Sequence, residues 1–200
     1  MLMSRHSGFT LIELLIGLVI VAILMFFAVP NYHTFIENQK LRARAESILS
    51  GLHTARQEAI RLNTNVSFVL TSTVPTPENV GTVTLDASGP HWLVRGAVMD
   101  PDTQTSAITL LDNQNAAETG GTALSVIEAD AAEVVFTPLG RTAGGVPQKI
   151  SILPVKGTCV AEGGKVRCLN IEVAGNGQIR MCDPAVDTPG DTRRCMLEDD

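Results

Sequence analysis

The chain has 200 residues, 44% of them hydrophobic and 18% charged, which suits one domain plus an accessory segment. Fifteen Lys and Arg against 21 Asp and Glu leave a formal charge of −6, so the chain lacks the basic excess of a general phosphate-neutralising binder, and its hydrophobic content excludes disorder. Four cysteines, none in a Cys-x-x-Cys pair, are too few for a disulfide-dense scaffold.

The first predicted element is an apolar helix. From Phe9 to Val29 only Glu13 is charged. As a helix this run rises about 32 Å, against a bilayer core of about 30 Å. A secretory signal peptide finds weak basicity in Arg5 and His6 and a small residue in Ala28, but the run is too long for one and carries a carboxylate near its start. A plain membrane anchor fits the length and gives Glu13 no purpose, because a charge in hydrocarbon costs several kcal/mol unless paired. Gly17 has no second glycine four positions away, so no close-packing helix motif is read there.

The segment Met1 to Gly8 followed by Phe9-Thr-Leu-Ile-Glu13 resembles the type IV prepilin signal. The resemblance implies that a prepilin peptidase cuts between Gly8 and Phe9 and that Phe9 is then N-methylated, so the mature helix begins with a cationic amine inside the membrane. It implies that Glu13 offsets such an amine on a neighbouring subunit, and buried charges are tolerated when paired. Family members carry a proline near the end of the apolar stretch, and Pro30 stands there as a helix kink that removes one backbone hydrogen bond. Lys40, Arg42 and Arg44 beyond the run outweigh Arg5 before it, so loop charge does not orient the helix.

After Pro30 the apolar residues Leu41, Ala45, Ile48, Leu52, Ala55, Ala59 and Leu62 recur at steps of four and three, one stripe of an amphipathic helix. The stripe is narrow and Ala-rich, which suits close packing on a sheet, and it lacks the regular flanking charges of a coiled coil. Asn63-Thr-Asn65 ends it. The period then becomes two. Strands are predicted at Val66–Thr71, Thr82–Asp86, His91–Arg95, Ala107–Leu111, Leu124–Ile127, Glu133–Thr137, Lys149–Leu153, Val166–Val173 and Gln178–Met181, with loops at Thr73–Val80 and Asp112–Thr122.

The expected fold class is α+β, a long N-terminal helix packed on an antiparallel β head. The expected organisation is a leader over 1–8, a transmembrane half over 9–30, an amphipathic half over 31–63 and a head over 66–200. This plan is similar to the GspH/FimT/FimU branch of minor pilins and type II secretion pseudopilins. So are Phe136-Thr-Pro-Leu-Gly-Arg141 and Ile171-Glu-Val-Ala-Gly-Asn-Gly-Gln-Ile-Arg-Met-Cys182. The implied partners are other minor and major pilins or pseudopilins, the prepilin peptidase and the inner membrane. The implied function is a non-enzymatic filament subunit that primes assembly near the tip.

Four cysteines allow three connectivities. Local pairing, Cys159 with Cys168 and Cys182 with Cys195, is expected because each pair closes a short loop, and the second resembles the C-terminal disulfide loop of many pilins. Closing a loop of that size stabilises by about 3 kcal/mol in the chain-entropy description, and disulfides require an oxidising compartment such as the periplasm. The spacings do not suit zinc. Asp183, Asp187 and Asp191 do not match a calcium loop and are read as a solvated acidic loop. His6, His33, His53 and His91 are scattered and start no catalytic motif, so neither an enzyme nor a cofactor is expected. Some FimT-like pilins take up DNA through a Gly-Arg-x-Arg stretch, and the matching place here reads Gly177-Gln-Ile-Arg180 beside an acidic loop. Arg141, Arg180, Arg193 and Arg194 are the candidate DNA contacts, and DNA is not the favoured partner.

Overall fold

The computed structural model describes residues 10–99, 105–119 and 125–197, with backbone alone at 27–31 and 119. The leader and the Gly8–Phe9 junction lie outside these residues. One helix, α1 (Leu11–Leu62), runs 52 residues and is unbroken through Pro30. It is shared by two compact units that divide between Ile36 and Glu37.

In the first unit the side chains of Leu11 to Phe26 that are large and apolar are all solvent-exposed, on every face of the helix. Among the described residues no helix is long and apolar enough to cross a membrane.

In the second unit the predicted stripe is the wall of the core. Leu41, Ala45, Ile48, Leu52, Ala55 and Ala59 are buried, and Leu62 is half-buried at the edge. The helix stops in a Schellman arrangement: the Thr64 N–H reaches the Ala59 carbonyl at 3.3 Å and the Asn63 N–H the Ile60 carbonyl at 3.4 Å. Asn63 holds φ 52°, the left-handed conformation that asparagine tolerates better than most residues.

The head has two four-stranded antiparallel sheets. The first runs β3 (Ser106–Gln114), β2 (His91–Met99), β1 (Val66–Thr71), β5 (Glu133–Phe136). The second runs β4 (Ser125–Ala129), β6 (Gln148–Pro154), β7 (Leu169–Val173), β8 (Ile179–Cys182). Alternation decides what meets the helix. Val66, Phe68 and Leu70 of β1, Trp92 and Val94 of β2, and Phe136 of β5 join the helical stripe. Ile150, Ile152, Ile171, Val173 and Ile179 join it from the second sheet. Gly51 of α1 is where the rings of Phe68 and Trp92 approach, and a Cβ there would stand 2.8 Å from the Trp92 ring. Ser47 fixes that ring by accepting the indole N–H at 2.9 Å and donating to Gln114 of β3 at 2.6 Å.

Thr82–Asp86 is not a strand. Only Leu85 bridges β1, at Thr71. Thr82 closes a turn built on Asn79, whose carbonyl accepts the Thr82 N–H at 2.8 Å and whose side chain accepts the Thr76 N–H at 2.8 Å, and beyond it the Asp86 N–H donates to the Leu70 carbonyl of β1 at 3.1 Å. Val80 and Val83, three apart rather than two, cover Val69 and Leu93 on the far side of the first sheet. The strand expected from Val166 begins at Leu169, because Val166 pairs instead with Cys159. Strand β3 extends through Gln114 into the stretch expected as a loop, matching the nine residues of β2.

Candidate functional site

At its N-terminus α1 carries a capping box. The Glu13 N–H donates to the Thr10 hydroxyl oxygen at 3.4 Å, and the Glu13 carboxylate accepts the Thr10 N–H at 3.5 Å. Two orphan donors of the first turn are thereby satisfied, and the acid sits at the positive end of the helix dipole. Gly8 and Phe9, the expected cleavage and methylation residues, lie outside the described residues. For Pro30 the structure gives backbone only, and that backbone is helical.

At the other end of the chain the structure forms disulfides Cys159–Cys168 and Cys182–Cys195. The second closes a loop held from within by Asp183. This residue, read from the sequence as part of a solvated acidic loop, is buried instead. Its carboxylate accepts Arg167 Nη1 at 3.2 Å and the Ala185 N–H at 2.9 Å, and its own N–H donates to the Arg193 carbonyl at 2.8 Å. Asp191 pairs with Arg193 at 2.8 Å, and hydrogen bonds from Arg193 hold its carboxyl down to about 2. Asp183, Asp187 and Asp191 do not converge on one point. Among the described residues the one cluster of metal-ligating types is Glu172, Cys182 and Cys195, where both sulfurs are already in the disulfide.

The four candidate arginines are not gathered into a free cationic patch. Arg180 gives Nε to Glu172 at 2.7 Å and a terminal nitrogen to the Arg194 carbonyl at 2.9 Å. Arg193 is bound to Asp191. Arg141 is exposed on a turn, where Thr137 donates to its carbonyl at 2.8 Å. That turn lies against Gly177, where a Cβ would collide with the Gly140 carbonyl. Two of the four guanidiniums are thus neutralised by carboxylates within the head.

Three buried groups escaped the sequence reading. Glu172 of β7 is 3% exposed, and besides Arg180 it accepts the Met196 N–H at 2.8 Å and the Leu197 N–H at 2.7 Å, tying the tail after Cys195 to the second sheet. His91 of β2 is buried, and its Nδ1 accepts the Ala116 N–H at 3.0 Å. Burial, and then the positive charge of buried Arg44 on α1, push this imidazole below its ordinary range. Glu172 lies within the family-like stretch Ile171 to Cys182, but no local pattern signals that it, His91 or Arg44 is buried, since their partners stand between 8 and 25 residues away or on another element.

Comparison with known proteins gives two family matches. The model described as Type II transport protein GspH matches residues 44–177, which is most of the head. The chain belongs to the GspH family. The prokaryotic N-terminal methylation motif matches residues 3–29. Among solved structures, the chain is similar to the type IV minor pilin FimU of Pseudomonas aeruginosa strain PAO1 in one crystal form. Identity is 18% and the TM-score 0.50, over 74% of this chain and 91% of that one. A second crystal form of FimU gives 17% identity and a TM-score of 0.47, over 70% and 90% of the two chains. No curated protein matches.

The first FimU likeness shows a shared α+β fold, and the GspH family is one of pilin-type structural subunits, not enzymes. The family match begins at Arg44 in the helix and ends at 177, so it takes in most of the stripe that packs on the sheets and strands β1 to β7. Two features distinguish the described chain: an acid, Glu13, in the first turn of an apolar helix, and a head whose disulfide-closed end is held by ion pairs.

Proposed function

We propose that the chain is a minor pilin of a type IV pilus, a non-enzymatic filament subunit that helps to prime assembly near the tip. The observation that carries this reading is Glu13. It is an acid in the first turn of an apolar helix, within a matched methylation motif, on the same chain as a GspH-family head. A prepilin peptidase removes residues 1–8, and Phe9 becomes the methylated, cationic N-terminus. The 9–30 segment stores the subunit in the inner membrane with its head in the periplasm, where the two disulfides are stable.

In the unassembled subunit Glu13 is held by the Thr10 capping box, which lowers the cost of carrying a carboxylate among lipid tails without removing it. In the filament the amine of a neighbouring subunit takes its place as partner. Assembly is then favoured because a buried charge is expensive alone and tolerated in a pair. Pro30, which has no N–H to donate, lets the helix unwind locally as it enters the filament core.

The family description favours a second reading, a type II secretion pseudopilin of the GspH kind, in which Glu13 would play the same part. Replacing Glu13 tests what both share. Glu13→Val and Glu13→Ala are expected to insert in the membrane normally and to lower filament incorporation about tenfold or more, the effect of 1.4 kcal/mol in pairing. Normal incorporation of either variant, scored by immunoblot of sheared filaments, would count against the pairing.

A further inference from the structure

Four strands stand at the ends of the two sheets, and three of them are guarded. β5 has four residues, and Glu133 within it is paired with Arg95 at 3.1 Å. β4 has five, the exposed carboxylate of Glu128 among them, and its Ala129 N–H is given to the Ala87 carbonyl at 3.2 Å. β8 has four and runs directly into the disulfide loop, whose Arg194 carbonyl takes the side chain of Arg180. Short length, charge and a covering loop are ways in which proteins keep a sheet edge from pairing with another chain.

β3 is different. It is nine residues long, and Ser106-Ala-Ile-Thr-Leu-Leu111 holds no charge and no proline. Ser106 to Thr109 are exposed, Ile108 at 56%. Five consecutive residues, Ser106 to Leu110, pair with Met99 to Arg95 of β2. Leu111 is the extra residue of a bulge, which ends this regular stretch before Asp112. One side of β3 bonds β2, and among the described residues no strand pairs with the other side. In an antiparallel pair alternate residues turn both N–H and C=O away from the partner, so that side is a row of donors and acceptors at strand spacing.

We propose that this edge takes up an extended, uncharged segment of a different pilin-type subunit in the filament, as one more strand of the first sheet. The inference rests on the filament reading above. The backbone pattern sets the chemistry of the occupant: a helix bonds its own N–H and C=O groups internally, and only an extended chain offers them at the spacing of β3. The lack of charge sets its sequence, since Ile108 and Leu110 on one face and Ala107 and Thr109 on the other give a buried charge on the incoming strand no partner. A second copy is the wrong occupant. Two β3 strands in the closed antiparallel arrangement are related by a two-fold axis normal to the sheet, which turns α1 end for end, whereas subunits drawn from one membrane run in the same sense.

Photo-crosslinking in intact filaments tests this. In the full chain p-benzoylphenylalanine replaces Ile108 or Thr109, exposed positions on opposite faces of β3, with Leu139, 81% exposed, as the control. An added strand runs beside both faces, so irradiation is expected to join both positions to the same uncharged segment of another subunit, and Leu139 not to it. With the probe at position 108, Ala107→Lys/Thr109→Lys is expected to lower the yield about fivefold or more, because charge on an edge opposes pairing, while Trp92 fluorescence stays that of the folded head. Adducts from one face only, on a charged segment, on a second copy of this chain or on nucleic acid overturn the strand addition alone. So does a yield unchanged by the lysines, or no adduct in filaments that contain the chain. Filaments that lack the chain altogether overturn the filament reading and the strand addition with it.

Discussion

Replacing Glu172 by glutamine removes the charge from the most heavily used buried carboxylate of the head. Its oxygens accept Arg180 Nε at 2.7 Å, a second Arg180 nitrogen at 2.6 Å, and the Met196 and Leu197 N–H groups at 2.8 and 2.7 Å. In Glu172→Gln the amide oxygen still accepts from one side, but an NH2 group then faces Arg180, donor against donor. Breaking a buried ion pair by removing one partner costs about 3–5 kcal/mol. Arg180 keeps the Arg194 carbonyl and its side chain is 22% exposed, which puts the expected loss at the low end, about 3 kcal/mol. For a chain of this size that is a fall in Tm of roughly 6–12 °C. The assay is denaturant unfolding of the full chain in detergent with disulfides intact. Fluorescence of Trp92, the single tryptophan and a core residue, is followed. The Arg180→Gln single and the double variant complete a cycle, in which a coupling above about 1 kcal/mol is expected. A loss under 1 kcal/mol for Glu172→Gln would refute the claim that this carboxylate anchors the tail.

His91 makes head stability depend on pH. Its folded-state pKa lies below its ordinary value, so the unfolded chain binds the proton more readily. The contribution is fully present above about 6.5, the ordinary value, and is lost as pH falls below it toward the folded-state value. Unfolding monitored by Trp92 is expected to show wild type losing stability between pH 7 and 5 relative to His91→Asn, and parallel curves would contradict this. DNA binding is expected to be absent. Gel shift of the full chain with duplex DNA at low salt should show no retarded band, and Arg180→Ala should change nothing, because that guanidinium is held by Glu172. A salt-sensitive complex lost on Arg180→Ala would revive the DNA-receptor reading.

The helix was legible because its signals are local. The stripe from Leu41 to Ala59 is a spacing pattern, and Asn63 is a residue type that accepts φ 52°, so sequence alone marks both the buried face and the stop. Strand β1 was legible for the same reason, as an alternating run that coincides with Val66–Thr71. Thr82–Asp86 was not, because its alternation also suits a turn, and the decisive bonds come from Asn79 and Thr71 outside it. Asp183 reads as solvated among the acids of its loop, and only the fold brings Arg167 to it across 16 residues. Glu172, Arg44 and His91 carry no local signal of burial, even with Glu172 inside the family-like stretch Ile171 to Cys182, since burial of a polar side chain is decided by which strands meet.

The most direct test of the whole account is the mass of the mature N-terminal peptide from native filament-competent cells. The account predicts a chain that begins at Phe9 with one added methyl group. A chain that retains Met1 to Gly8 while the machinery is active, or one cut near Ala28, would contradict it.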